Sequence, residues 1–280
     1  MREIHIDEIK IKVYDALLQI NCVLSPDVSS ALIAGVEREE SEVGRSIFED
    51  ILKNNEIAKD KKVPICQDTG MVTAFVKVGQ AVHIVGGNIS RAINQAVKEA
   101  YNDGYFRKSV VSDPIERKNT QDNTPAVIHY DIVEGEEIEI ALTAKGFGSE
   151  NMSRLKMLKP SEGVEGVVDF ITETVALAGP NACPPLFLGI GIGGTMEKCA
   201  LLSKQALLRY ADEPNPNPYY ADLEDKLLER LNRLGIGPMG LGGTTSVLGV
   251  NIETFPTHIA GLPVAVNICC HVNRHIKVKI

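Results

Sequence analysis

The chain has no Cys-x-x-Cys pair, no leader-like apolar segment, no apolar run near membrane-span length and no surplus of cations. Each absence removes a class. Without a Cys-x-x-Cys, Cys22, Cys66, Cys183, Cys199, Cys269 and Cys270 indicate neither a zinc ribbon nor a ferredoxin-type run. In a reducing compartment they also form no disulfide framework. The start, Met1-Arg2-Glu3-Ile4-His5, lacks the apolar core of a signal peptide, and the missing long apolar run speaks against a membrane span. Both point to a cytoplasmic chain without a membrane partner. Lys and Arg number 29 against 37 Asp and Glu, a formal charge of -8, which argues against a nucleic-acid surface. What is present is an ordinary globular composition, 44% hydrophobic and 24% charged over 280 residues, enough for one large domain or two smaller ones. Any ligand shared by these thiols must be gripped from distant segments.

Residues 6–60 read as helical. Ile6, Ile9, Val13, Leu17 and Ile20 recur at helical spacing, Ser25-Pro26 reads as a cap followed by a first-turn proline, and Glu37, Glu39, Glu40 and Glu42 read as a solvated face. Beyond lie strands at Met71–Val78, Ala126–Val133 and Glu137–Ala144, the last two joined at Glu134-Gly135. Helices are expected at 88–101, with Gly104 as a left-handed cap, and from Ser161, as their cap, to Leu177. A buried strand is expected at 186–192, helices at 196–209 and 223–234, and strands at 245–252 and 264–268 before a strand-like basic tail. Helices first and strands interleaved with helices give a mixed α/β fold. The segment 1–60 forms a helical lead-in to 61–280, within one continuous domain 1–280.

Chemistry concentrates in a few stretches. Pro64-Ile65-Cys66-Gln67-Asp68-Thr69-Gly70 puts a thiol, an amide and a carboxylate at one strand end, with Gly70 reversing the backbone. Arg107 follows two aromatics in a loop and suits a carboxylate. Gly146-Phe147-Gly148 reads as either a tight turn or an anion nest. Cys183 precedes two prolines that fix the backbone. Cys269 and Cys270 end a strand and face opposite ways, so only one of them points to a site. A rival pattern, Gly189–Gly194, matches the dinucleotide fingerprint, but the same pattern recurs at Gly235–Gly240 after a helix. A nucleotide-binding oxidoreductase is therefore the alternative of another class, and a doubly wound Rossmann fold is not expected.

Three stretches carry a resemblance: Pro64 to Gly70, Asn181-Ala182-Cys183-Pro184-Pro185, and Asn267-Ile268-Cys269-Cys270-His271-Val272-Asn273-Arg274-His275. They resemble the iron–sulfur motifs of the class I fumarases, in the alpha subunit or N-terminal half. L-tartrate dehydratase belongs to the same family. The resemblance is collinear through Arg107-Lys108-Ser109, Asn119–Pro125, Lys145–Asn151 and Pro256-Thr257-His258. It implies that Cys66, Cys183 and Cys270 hold a 4Fe-4S cluster. It also implies that Gln67, Asp68, Arg107, Gly146 or Gly148, and His258 meet the substrate, with Asp68 and His258 as acid–base residues. The implied reaction is hydration of fumarate to L-malate, a tricarboxylic acid cycle step, with L-tartrate dehydration as the alternative. The substrate is then a small dicarboxylate. A separate beta subunit is expected to complete the site in a hetero-oligomer.

Overall fold

The computed structural model describes residues 2–280, which divide into two compact units. The first comprises the residues up to Ser25, Asn54–Phe147 and Arg274–Ile280; the second comprises Pro26–Lys53 and Gly148–Asn273. The N-terminal segment 1–60 is thus shared between the two units.

In the first unit a short strand β1 (Arg2–His5) leads into α1 (Ile6–Cys22). The periodic stripe Ile9, Val13, Leu17 and Ile20 is buried. The unit's main sheet has the order β10-β5-β2-β4, with β2 (Met71–Gly79), β4 (Val127–Val133), β5 (Ile138–Lys145) and β10 (His275–Lys279). β2 is central, antiparallel to β5 and parallel to β4. The Glu134-Gly135 turn therefore does not make a hairpin: β4 and β5 stand on opposite sides of β2. A second small pairing joins β1 in parallel to β3 (Val82–Val85). α4 (Ile89–Asp103) buries Ala92, Ile93, Ala96, Val97, Ala100 and Tyr101, and Asn88 caps it by accepting the Arg91 N–H at 3.0 Å. Leu142, Ile138, Ile140 and Val72 join these side chains in one apolar core.

The second unit holds α2 (Pro26–Arg38), the first part of α3 (Glu42–Lys61), and a sheet of order β6-β9-β7-β8. Its strands are β6 (Arg154–Leu158), β7 (Leu186–Gly193), β8 (Val247–Phe255) and β9 (Leu262–Cys269). β7 is buried along its whole length and pairs in parallel with β8 and antiparallel with β9. α6 (Gly163–Ala178) and α8 (Pro218–Asn232) share the second apolar core with this sheet, and α7 (Met196–Ala206) follows β7 directly; the short α5 (Phe147–Glu150) precedes β6. Both main sheets mix parallel and antiparallel pairs. The fold is mixed α/β and not doubly wound.

Several local expectations change. Glu39 is not solvated: it is 1% exposed, and its carboxylate accepts the N–H groups of Ser41, Thr244 and Thr245. Gly104 is right-handed, and the left-handed residue is Tyr105, φ 54°. Gly104 is needed because a Cβ there would meet the Phe106 ring at 2.6 Å. Ser161 does not cap α6: it lies in a 3-10 turn, Pro160–Glu162, in which Glu162 accepts the Lys159 N–H at 2.6 Å, and α6 starts without a side-chain cap. Ser25 precedes α2 without capping it, because its Oγ has no hydrogen-bond partner. The stretch Ile6–Arg38 is apolar enough by composition to cross a membrane, contrary to the sequence expectation. It folds as two helices, α1 and α2, with a break after Cys22.

Candidate functional site

Sheet register builds the Cys66 turn. Met71 pairs with Lys145 across the antiparallel β2–β5 ladder. The residues before Met71 and those after Lys145 must therefore run side by side. Asp68 lands against Gly146-Phe147: its Oδ2 accepts the Phe147 N–H at 2.9 Å, and its Oδ1 accepts the Gly70 N–H at 3.0 Å. The expected anion nest is thus filled, at Phe147, by the chain's own carboxylate. Gly146 permits this approach, since a Cβ there would lie 2.9 Å from Asp68 Oδ2. Gly70 adopts φ 76°, and its missing Cβ would meet the Lys145 carbonyl carbon at 2.6 Å. Cys66 and Asp68 are half-buried and Gln67 is exposed.

The Arg107 loop is tied to the same turn. Thr69, fully buried, donates its hydroxyl to the Arg107 carbonyl at 2.9 Å. Phe106 is buried edge-on against Tyr101, with ring centroids 5.5 Å apart, so Arg107 is left exposed beside an anchored neighbour. Among the described residues its guanidinium makes no ion pair. Asn123, which the sequence reading passed over inside a polar loop, is the clamp. Buried at φ 61°, it accepts the Ser109 N–H at 2.7 Å and the Val110 N–H at 3.3 Å, and it donates to the Gly70 carbonyl at 3.1 Å. A buried asparagine in the left-handed region was the available signal, but φ is not legible in a sequence.

In the second unit the register does similar work. Phe187 pairs with Cys269, so Cys183 and the residues after Cys269 meet at one end of the β7–β9 ladder. The His271 Nδ1–H donates to the Cys183 carbonyl at 3.2 Å. Cys183 is exposed and left-handed, φ 54°, a backbone state that is uncommon outside glycine and clusters at functional positions. Cys269 is buried and Cys270 half-exposed, as strand alternation requires. His258 lies exposed in the β8–β9 loop, and its Nδ1 accepts the Ala260 N–H at 3.2 Å. Gly148 is exposed, and a Cβ there would meet nothing.

The six thiols therefore separate by environment. Cys66 and Cys270 are half-exposed and Cys183 is exposed, while Cys22, Cys199 and Cys269 are buried. Burial pushes the Cys199 thiol up to about 12 and raises that of Cys22. Cys66 belongs to the first unit, Cys183 and Cys270 to the second. Among the described residues no group of three or more His, Cys, Asp or Glu side chains stands together as a metal-holding set.

The rival glycine pattern has a packing origin. A Cβ on Gly189 would come 2.1 Å from the Ser203 carbonyl oxygen, and one on Gly191 2.1 Å from that of Cys199. These glycines lie inside β7 and let α7 press onto it; they do not form a phosphate-binding turn. A mixed sheet with this glycine packing removes the basis for a nucleotide fold.

Fold and turn geometry define a mixed α/β chain that presents carboxylate, amide, guanidinium and thiol groups at strand ends. The family model described as fumarate hydratase (fumerase) matches residues 10–279, and the chain belongs to this family of hydro-lyases. Among relatives, a Methanocaldococcus jannaschii protein provisionally named L(+)-tartrate dehydratase subunit alpha is 43% identical over 90% of each chain. The L(+)-tartrate dehydratase subunit alpha of Escherichia coli strain UTI89 is 38% identical over 93% of this chain and 87% of its own length. That of strain K12 is 39% identical over 91% and 85%.

Proposed function

We propose that the chain is the alpha subunit of an L(+)-tartrate dehydratase, which removes water from a hydroxylated four-carbon dicarboxylate and works with a separate beta subunit. The observation that carries the choice of substrate is the set of relatives, which are named tartrate dehydratase alpha subunits over most of both chains. This reverses the order expected from the sequence motifs, which put fumarate first. Hydration of fumarate to malate remains the second reading, favoured by the description of the matching family. The alpha designation of the relatives supports the beta partner.

The donor chemistry fits an iron–sulfur cluster. The three thiols of the motif segments are the accessible ones, at a turn, on a left-handed residue and just past a strand end, while the other three are packed away. Soft thiolates are the usual protein ligands of such clusters. Cys66, Cys183 and Cys270 would hold a 4Fe-4S cluster, and Cys270 is favoured over Cys269 by its exposure. Three thiolates would leave one iron of such a cluster without a protein ligand, and that iron would supply Lewis-acid character towards a substrate hydroxyl and carboxylate.

The remaining roles fall to the chain's own side chains. Asp68 has one main-chain N–H on each oxygen. That fixes its plane and leaves a further lone pair on each oxygen, so it presents an oriented acceptor for a substrate hydroxyl or a carbon-bound proton. His258 accepts at Nδ1, so its neutral ring carries the proton on Nε2. In that tautomer it presents a hydrogen-bond donor to a substrate oxygen. Arg107, exposed on its anchored loop, neutralises one substrate carboxylate by a two-pronged pair. Gln67, exposed between Cys66 and Asp68, offers an amide donor. The test is co-expression with the beta subunit under anaerobic conditions and turnover assays on L-tartrate and fumarate. Faster dehydration of L-tartrate is the expected result; turnover of fumarate alone would reinstate the second reading.

A further inference from the structure

We infer that Arg274 is a positioning residue: a buried, fixed positive charge behind the Cys66–Gly70 turn that holds the turn's backbone and serves as counter-cation to the anionic group assembled on it. The inference rests on the reading above, in which Cys66 is a thiolate ligand. Arg274 is 2% exposed. Its Nη2 donates to the Asp68 main-chain carbonyl at 2.8 Å, its Nη1 donates to Asn21 Oδ1 at 3.2 Å, and its Nε finds no acceptor. Both acceptors are neutral. Among the described residues no carboxylate pairs with it, although an arginine stays charged at every working pH.

A buried charge that meets no opposite charge is costly, and such charges are normally paired. The one carboxylate of the turn, that of Asp68, makes no ion pair with this guanidinium, and the other groups around it are neutral. Asn21 is itself buried and locked, its amide donating to the Leu17 carbonyl at 2.9 Å, which turns its oxygen towards Arg274. The Tyr101 hydroxyl is spent on the Thr69 carbonyl at 2.6 Å. Burial keeps that phenol neutral despite the nearby guanidinium. The Asp68 carboxylate is engaged by the Gly70 and Phe147 N–H groups. The unmet positive charge therefore sits beneath the turn that carries Cys66. A thiolate there, within an anionic cluster, would supply the missing partner.

The test uses the full chain, metal-free and after anaerobic reconstitution with iron and sulfide, and reads the rate of iron release to a ferrous chelator together with the melting temperature of the metal-free chain. Arg274→Gln keeps a donor for Asp68 but removes the charge, and Arg274→Lys keeps the charge. Asn21→Asp leaves Arg274 in place and gives it a carboxylate, so that variant carries the question if Arg274→Gln does not fold. Arg274→Gln and Asn21→Asp should each release iron about tenfold faster than wild type, the order expected of a charge interaction between groups not in direct contact, while Arg274→Lys stays near wild type. Metal-free Asn21→Asp should melt higher than metal-free wild type, an opposite sign that a merely structural role does not give. Equal release from the Gln and Lys variants, or a lower metal-free melting temperature for Asn21→Asp, would overturn the inference while leaving the cluster reading intact. A wild-type chain that takes up no iron overturns both.

Discussion

Asp68 and Gly146 compete for one place: the carboxylate Oδ2 lies 2.9 Å from where a side chain on Gly146 would begin, and the same oxygen accepts the Phe147 N–H. The glycine is therefore part of how Asp68 is aimed. Gly146→Ala should move the carboxylate by a fraction of an ångström. A small misplacement of a reacting group costs up to about a hundredfold in rate. The loss is expected in kcat of the alpha–beta complex, with the melting temperature little changed. Gly148→Ala separates the two causes: a Cβ there meets nothing within the chain, so a loss in that variant reports substrate contact rather than a displaced Asp68. Steady-state kinetics on the two variants check this.

Glu39 gives a pH dependence unrelated to catalysis. Burial opposes its ionisation, but the N–H groups of Thr244, Ser41 and Thr245 together outweigh burial and hold the carboxyl below its usual range. A carboxylate whose folded pKa is depressed contributes stability that is present above its unfolded value, near about 4.3, and lost as pH falls through the folded value. Glu39→Gln should cost about 2 kcal/mol at neutral pH, because two or more charge-assisted bonds weaken. The deficit should shrink as the pH is lowered below about 4. Urea midpoints at several pH values measure it.

Asn123 anchors the Arg107 loop to the Cys66 turn through three hydrogen bonds made in a left-handed conformation. Asn123→Ala should destabilise by about 3 kcal/mol, combining unsatisfied buried groups with the cost of φ > 0 for alanine. It should also weaken substrate binding by freeing Arg107. Denaturant unfolding and KM together report both effects.

Much of this was legible in the sequence where a local rule acts alone. The Cys66 turn with Gly70, the opposed facing of Cys269 and Cys270, and the buried stripe of α4 follow from neighbouring residues. What was hidden depends on distant partners. Glu134-Gly135 looks like a hairpin turn, yet β2, some sixty residues earlier in the chain, inserts between β4 and β5. Glu39 sits in an acidic run that reads as solvated, and only the Thr244-Thr245 backbone explains its burial. Gly189 and Gly191 look like a phosphate loop because their partners, the carbonyls of Ser203 and Cys199, belong to a helix packed across the strand. The substrate was the least legible point, since tartrate and malate differ by one hydroxyl and the motifs shared by the family do not report it.

Thiol environment predicts selective labelling. In the metal-free, native chain, iodoacetamide should modify Cys66, Cys183 and Cys270 well before Cys22, Cys199 and Cys269. Cys199 should be among the slowest, because burial leaves almost no thiolate at neutral pH. Time-resolved mass spectrometry of the labelled peptides orders them.

The most direct measurement is iron and acid-labile sulfide per chain after anaerobic reconstitution of wild type and of the single variants Cys66→Ser, Cys183→Ser, Cys270→Ser and Cys269→Ser. The account predicts about four irons in wild type and in Cys269→Ser, as for a 4Fe-4S centre held by three other thiolates, and a marked loss in each of the other three. Full iron retention in Cys66→Ser, Cys183→Ser or Cys270→Ser, or none in wild type, would contradict it.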